Sequence, residues 1–298
     1  MAVEIPDIAV NRTDLYYVMN WTMPVAGTPL GVRDGYLKRV PIRGGKALQL
    51  AFISGGGSRG SQGLAITPAA AILSQAPGND GGAGAIVSVP LDGGNATVLA
   101  PTKGVAKALV VDDVNVYFAD TEATKSVPLI GGPPRTIAAA GSDSIGIEGE
   151  TLYLADFSGH TVSTIAVDGG QVAVLAKNQQ GPLDPVTCGT NLCWMNAGQL
   201  LNSSLMQLAP GATPVVLAEG FSEPIDLIYD GNNFFVTAGG GALSLLRIPS
   251  GGGTPLVAES ETGISSMALD ETCLYWSSLN GISSLARSAA DVAGGTDQ

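Results

Sequence analysis

Histidine is almost missing from this 298-residue chain, with His160 its only copy. Three cysteines accompany it, and no His/Cys spacing resembles a zinc site. Nor can a Ser-His-Asp or Cys-His arrangement for nucleophilic catalysis be argued. Charged residues are scarce, at 13%, and lopsided, leaving a net charge of −12. A surface of that sign repels phosphate backbones and argues against nucleic acid as a partner. No apolar run is long enough to span a bilayer, and no signal-peptide pattern is present.

What the chain does hold is 41 Gly and 18 Pro among 45% apolar residues. That balance suits many short strands joined by tight turns and does not suit long surface helices. The charge is also uneven. Arg12, Arg33, Lys38, Arg39, Arg43, Lys46 and Arg59 face only Glu4, Asp7, Asp14 and Asp34 in the first 60 positions. Any attraction for an anion therefore belongs to the N-terminal part.

A degenerate repeat of about 40 residues runs through the chain. Its clearest copy reads Leu109-Val110-Val111-Asp112, Val116-Tyr117-Phe118-Ala119-Asp120, Ser126-Val127-Pro128-Leu129, Gly131-Gly132, then Arg135-Thr136-Ile137-Ala138. The aromatic segment recurs seven times, centred on Tyr16, Ile72, Tyr117, Tyr153, Cys193, Phe235 and Tyr275. Glycine turns follow at Gly44-Gly45, Gly93-Gly94, Gly131-Gly132, Gly169-Gly170, Gly211 and Gly251–Gly253. Such turns supply the positive φ of tight hairpins. Each unit reads as four strands, one propeller blade.

The fold expected is all-β, a seven-bladed β-propeller, with six blades as the alternative. It occupies residues 1–288 as one domain, with 289–298 a flexible tail. The last unit stops after its third strand, so Ala2-Val3-Glu4-Ile5 is expected to close the ring as that blade's outer strand. Leu274-Tyr275-Trp276-Ser277-Ser278 and Val116-Tyr117-Phe118-Ala119-Asp120 resemble the YWTD repeats of LDL-receptor class B propellers and their bacterial relatives. The resemblance covers nearly the whole chain, and the motif's final Asp survives as Asp120 and Asp156. Such propellers mostly bind other proteins, which by analogy implies a binding role.

Second-strand aromatics such as Tyr117, Tyr153, Trp194 and Trp276 read as core between blades. Trp21 reads differently, because the segment from Trp21 to about Asp34 is a lengthened loop. Two further insertions, Ser54–Gly60 and Pro77–Gly82, emerge on the same face. Together they bring Trp21, Arg33, Asp34, Arg59, Asn79 and Asp80 forward as a ligand-binding set, an aromatic platform with guanidinium and polar groups. One ring position, at the mouth of the central channel, reads Asp7, Gly63, Ala108, Ser144, Asp184, Asp226 and Ser266. Asp7, Asp184 and Asp226 there are a candidate metal set for Ca²⁺ or another divalent cation. The plainer reading has each Asp accepting backbone N–H bonds in its own loop. His160 lies in a polar loop and reads as solvated. Cys188 and Cys193 flank a short turn where a bridge is sterically open, two reduced thiols being the plainer reading.

The function expected is a non-enzymatic binding propeller, a monomer without a bound cofactor, presenting the insertion-bearing face to a protein, glycan or small anionic ligand. An extracellular or periplasmic location, after loss of an export signal, goes with it. The alternative is a metal-assisted hydrolase, lyase or isomerase at the channel mouth.

Overall fold

The computed structural model describes residues 2–23, 32–54, 63–77, 83–139, 141–198, 201–239, 244–261 and 263–287. Sheet one comprises β1 (Ala2–Val10), β2 (Asp14–Met23), β3 (Val32–Pro41) and β4 (Leu48–Ser54). Sheet two has β5 (Leu64–Ile66), β6 (Ala70–Gln75), β7 (Gly84–Pro90) and β8 (Thr97–Thr102). Sheet three has β9 (Ala108–Val111), β10 (Asn115–Ala119), β11 (Thr124–Pro128) and β12 (Arg135–Ala138). Sheet four has β13 (Ser144–Glu148), β14 (Thr151–Asp156), β15 (Thr161–Ala166) and β16 (Ala173–Ala176). Sheet five has β17 (Pro182–Cys188), β18 (Asn191–Asn196), β19 (Ser203–Leu208) and β20 (Val215–Phe221). Sheet six has β21 (Asp226–Tyr229), β22 (Asn233–Ala238), β23 (Ser244–Pro249) and β24 (Leu256–Ser260). Sheet seven has β25 (Ser266–Leu269), β26 (Cys273–Ser278) and β27 (Gly281–Ala286).

Every sheet is antiparallel with its strands in chain order. These are the blades of an all-β, seven-bladed β-propeller. The chain divides into two compact units, Met1–Gly141 with sheets one to three and Ser142–Gln298 with sheets four to seven. Within the first unit β1 neighbours β5 and β5 neighbours β9; within the second, β13, β17, β21 and β25 follow one another.

Each sheet is apolar on both faces, so its core lies between neighbouring sheets. Tyr16, Val18, Leu37 and Ile53 of sheet one pack with Leu64, Leu73 and Val87 of sheet two. Trp194 packs between sheets four and five, and Trp276 joins Phe235 and Leu245 between six and seven. Trp194, Trp276 and Tyr117 are buried, as their spacing implies, and Tyr153 is half-buried against the Trp194 cluster.

The turns follow the repeat closely. In all six complete sheets, six residues separate the third strand from the fourth. The two glycines of the sheet-one, -two, -three and -four turns have positive φ, as do Gly252 and Gly253. The fourth strand always pairs through a register shift, which adds twist to the outer edge.

The first turn of a sheet is closed by a side chain. Asp112 Oδ1 accepts the N–H of Val114 and Asn115 at 2.8 and 2.6 Å, while its Oδ2 accepts the Tyr117 hydroxyl at 2.8 Å. Asp270 repeats this with Thr272, Cys273 and the Tyr275 hydroxyl at 2.9 Å. Burial acts to raise both carboxyls, but these bonds outweigh it and hold them below the usual carboxylate range. Tyr117 is pushed up to about 12, first by burial and then by its bond to Asp112. An Asp five residues before a Tyr is therefore part of the blade's scaffold.

Ala2–Ile5 does not join the last sheet. Ala2 lies opposite Thr22, Val3 opposite Trp21 and Glu4 opposite Asn20, all on β2, and sheet seven has three strands among the described residues. The cause is the length of β2, whose end at Met23 offers backbone groups directly beside a segment contiguous with Ile8–Val10. Pairing there needs no loop closure. A bulge between Glu4 and Asp7 takes up Pro6, which has no N–H to contribute.

Gly252 has φ of +84°, and a Cβ on it would overlap the Leu217 carbonyl, while Gly253 N donates to that same oxygen at 2.9 Å. Gly252→Ala should cost roughly 1–3 kcal/mol in urea unfolding. Gly251→Ala, whose Cβ would meet open space, should change stability by less than about 0.5 kcal/mol.

Candidate functional site

Both ends of the lengthened segment of sheet one are strand. Trp21 pairs with Asp34 and Thr22 with Arg33 in the β2–β3 ladder, so the connection narrows to residues 24–31. The alternation that buries Val18, Leu37 and Ile53 on one face turns Trp21, Tyr36 and Phe52 to the other. These three rings form a row across β2, β3 and β4. Trp21 and Tyr36 have centroids 4.7 Å apart, Tyr36 and Phe52 lie edge-to-face at 5.6 Å, and Trp21 is 6.3 Å from Phe52. Phe52 is 50% exposed, and Trp21, Tyr36 and Asp34 are half-buried. Aromatic pairs of this geometry hold one another in place before any ligand arrives. The Arg33 side chain lies outside the described residues, as do Arg59, Asn79 and Asp80.

Two of the ring-position aspartates, Asp7 and Asp226, accept a backbone N–H from the neighbouring sheet. Asp7 Oδ2 accepts the N–H of Gly63 at 2.5 Å, linking β1 to the start of sheet two. Asp226 Oδ2 accepts the N–H of Met267 at 2.6 Å, linking β21 to β25. Between sheets four and five the polarity reverses, since Asp184 N donates to Ser144 Oγ at 2.8 Å, with Asp184 at φ +47°. These bonds join adjacent inner strands, and Asp226 also accepts the N–H of Leu227 in its own segment. Among the described residues no group of three or more His, Cys, Asp and Glu side chains is placed to hold a metal ion.

His160 is exposed, at φ +57°, with Nδ1 2.9 Å from the Gln179 carbonyl oxygen. Asp120 accepts N–H bonds from Lys103, Glu122 and Ala123 and pairs with Lys125 Nζ at 2.6 Å, so the motif's final Asp clips its own loop.

A second surface was not signalled as a site by the repeat. An open cleft of about 760 Å³ lies between sheets four and five, lined among others by Tyr153, Thr164, Thr190, Asn191 and Pro210. Cys188 and Cys193 are bridged across the turn that forms one of its walls. The two cysteines flanking a four-residue turn were the only sequence signal there; the reduced-thiol reading is replaced by a disulfide. Cys188 pairs with Asn191 and Cys193 with Val186, so the two cysteines are diagonal neighbours in the ladder with Cα atoms 6.0 Å apart.

No protein-family profile matches the chain, and no curated protein does. Solved structures resemble it in fold. A hydrazine synthase structure from Kuenenia stuttgartiensis is 14% identical, covering 96% of this chain and 97% of that one, with a TM-score of 0.68. A putative 6-phosphogluconolactonase from Bacteroides uniformis is 11% identical over 86% of this chain and 85% of that one, with a TM-score of 0.60. A chain of a nidogen/laminin complex is 19% identical over 74% of this chain and 90% of that one, with a TM-score of 0.56. At these identities the likeness is one of fold.

Asp226 is 5% exposed, and burial pushes its carboxyl up to about 7 despite the N–H bonds from Met267 and Leu227. An unfolded Asp titrates near ~3.9. The folded state therefore binds this proton more tightly, and the group's contribution to stability is lost as pH rises from about 4 through about 7. Asp226→Asn should flatten the fall in Tm over that range and raise Tm at pH 8 by roughly 3–6 °C, measured by calorimetry.

Proposed function

We propose that this protein is a non-enzymatic binding propeller whose contact surface is built on the lengthened hairpin of sheet one. The observation that carries the reading is the Trp21–Tyr36–Phe52 row. It faces away from the sheet-one/sheet-two core, with Phe52 half in water, at the base of a connection, residues 24–31, that is longer than the four residues between β10 and β11. Rigid aromatic rings beside a carboxylate, here Asp34 opposite Trp21, suit the faces of sugar rings or apolar side chains of a protein partner. Basic residues of the N-terminal segment extend the reading to small anions. The nidogen/laminin neighbour, a propeller crystallised in a protein complex, is consistent with such use of the fold.

A glycan array and a displayed peptide library, each probed with the purified chain, test this. Trp21→Ala and Phe52→Ser should each weaken the best binder by about tenfold or more with Tm nearly unchanged. Binding that survives both substitutions and falls with Asn191→Ala would move the function to the cleft between sheets four and five. The metal-assisted alternative would instead show as a rise in Tm on adding CaCl₂ that Asp184→Ala removes, together with lactone hydrolysis.

Export to an oxidising compartment belongs to the same reading, and the Cys188–Cys193 bridge supports it, since such bonds persist outside the reducing cytosol. Thiol titration of protein denatured without reductant should then give one reactive cysteine, Cys273, and three after reduction. Three without reduction would remove this support.

A further inference from the structure

Three buried side-chain atoms have no hydrogen-bond partner among the described residues: Thr237 Oγ1, Glu261 Oε2 and Trp276 Nε1. They share one interface. Thr237 lies opposite Asp226 on sheet six, and Trp276 opposite Met267 on sheet seven. The Asp226–Met267 bond joins these two pairs, so Thr237 and Trp276 stand at one level of the sheet-six/sheet-seven contact. Glu261 follows β24 directly, in the connection between the same two sheets.

Sheet five shows what the arrangement lacks. Trp194 holds the equivalent place on β18, and its Nε1 donates to Gln179 Oε1 at 3.3 Å and to Asn196 Oδ1 at 3.2 Å. Gln179 precedes Trp194 by the same interval that separates Glu261 from Trp276, and each lies in the connection leading into its sheet. Asn196 Nδ2 also donates to Gln179 Oε1, closing that network with protein atoms alone. In sheet seven the position of Asn196 is Ser278, whose side chain is shorter, and Glu261 turns Oε1 to the Ser283 hydroxyl at 3.1 Å. The indole N–H and the second carboxylate oxygen are left over together.

We infer that an ordered water molecule occupies this interface, accepting from Trp276 Nε1 and donating to Glu261 Oε2 and Thr237 Oγ1. Buried waters commonly make about three hydrogen bonds to otherwise unmet polar groups. The partner set also selects the occupant. An indole N–H pointing inward disfavours a cation, and a carboxylate disfavours an anion, so the site calls for a small neutral group that both donates and accepts. The water is a fixed link between sheet six and sheet seven, which has three strands among the described residues.

A crystal structure of the full chain at a resolution that shows solvent tests this directly. A single water within hydrogen-bond distance of Trp276 Nε1 and Glu261 Oε2 is expected. A protein atom accepting from Trp276 Nε1, or an empty site, would overturn the inference. In solution, Trp276→Phe, Glu261→Leu and the double variant form a cycle. The loss in Tm for the double variant should be clearly smaller than the sum of the two single losses, because either substitution alone already releases the water. Additive losses would count against it. Glu261→Gln, which keeps a polar partner of the same size, should retain both the water and nearly the parental Tm, so a failure of the leucine variant to fold leaves the question answerable.

Discussion

A four-stranded sheet with apolar side chains on both faces cannot stand alone in water. Each sheet of this protein is stable only as far as a neighbour covers it, and the features of the repeat follow from that requirement. Trp194 and Trp276 lie between sheets because the second strand is buried on both sides. Asp7, Ser144 and Asp226 each accept a backbone N–H at a neighbouring inner strand, where two backbones come close. Gly146 shows how close that approach is. A Cβ there would run into the carbonyl of Pro185 on the next inner strand.

Most of this architecture could be read before any coordinates, because turn chemistry and two-sided burial leave periodic marks. The glycine pairs and the aromatic second strand gave the count of seven sheets and the strand order. Three things escaped. The Asp112–Tyr117 and Asp270–Tyr275 staples were visible as a five-residue spacing, yet the tyrosines were read as packing groups alone, since nothing in the spacing says which way a hydroxyl points. The fate of Ala2–Ile5 was misjudged because four apolar-leaning residues fit any sheet edge. The deciding fact was the length of β2, which continues through Trp21 to Met23. The length of the Trp21–Asp34 insertion reads as a loop in sequence, whereas the strands extend to Met23 and from Val32 and leave residues 24–31, which hold all its Pro and Gly, between them.

The same limit applied to the candidate sites. Of the proposed binding set, Trp21 and Asp34 face each other across a ladder, and Tyr36 and Phe52 belong with Trp21 although no sequence argument named them. Their connection is a register relation, and register between strands separated by an insertion is not legible from composition. The aspartates illustrate the opposite case. They lie on inner strands, and a carboxylate there looks alike in sequence whether it holds a cation or a neighbouring N–H.

This distinction bears on where the protein can interact. In the repeat, polar groups at strand ends are consumed by scaffold bonds: Asp112 and Asp270 by turns, Asp120 by its own loop, Asp7 and Asp226 by the next inner strand. A group already satisfied in this way has to give up its bond before it can serve a ligand, at a net cost of about 0.5–1.5 kcal/mol for each bond exchanged and more for a charged one. Recognition is therefore favoured where the repeat is broken and the scaffold makes no claim on the side chains. The aromatic row of sheet one meets that condition, since its rings hold each other and leave a face of Phe52 in water. The cleft beside the Cys188–Cys193 turn meets it as well, with Asn191 and Thr190 displayed on a wall that the disulfide keeps rigid. The repeat marks neither surface as a site, which is why a fold so plain in the sequence gives so little away about what it binds.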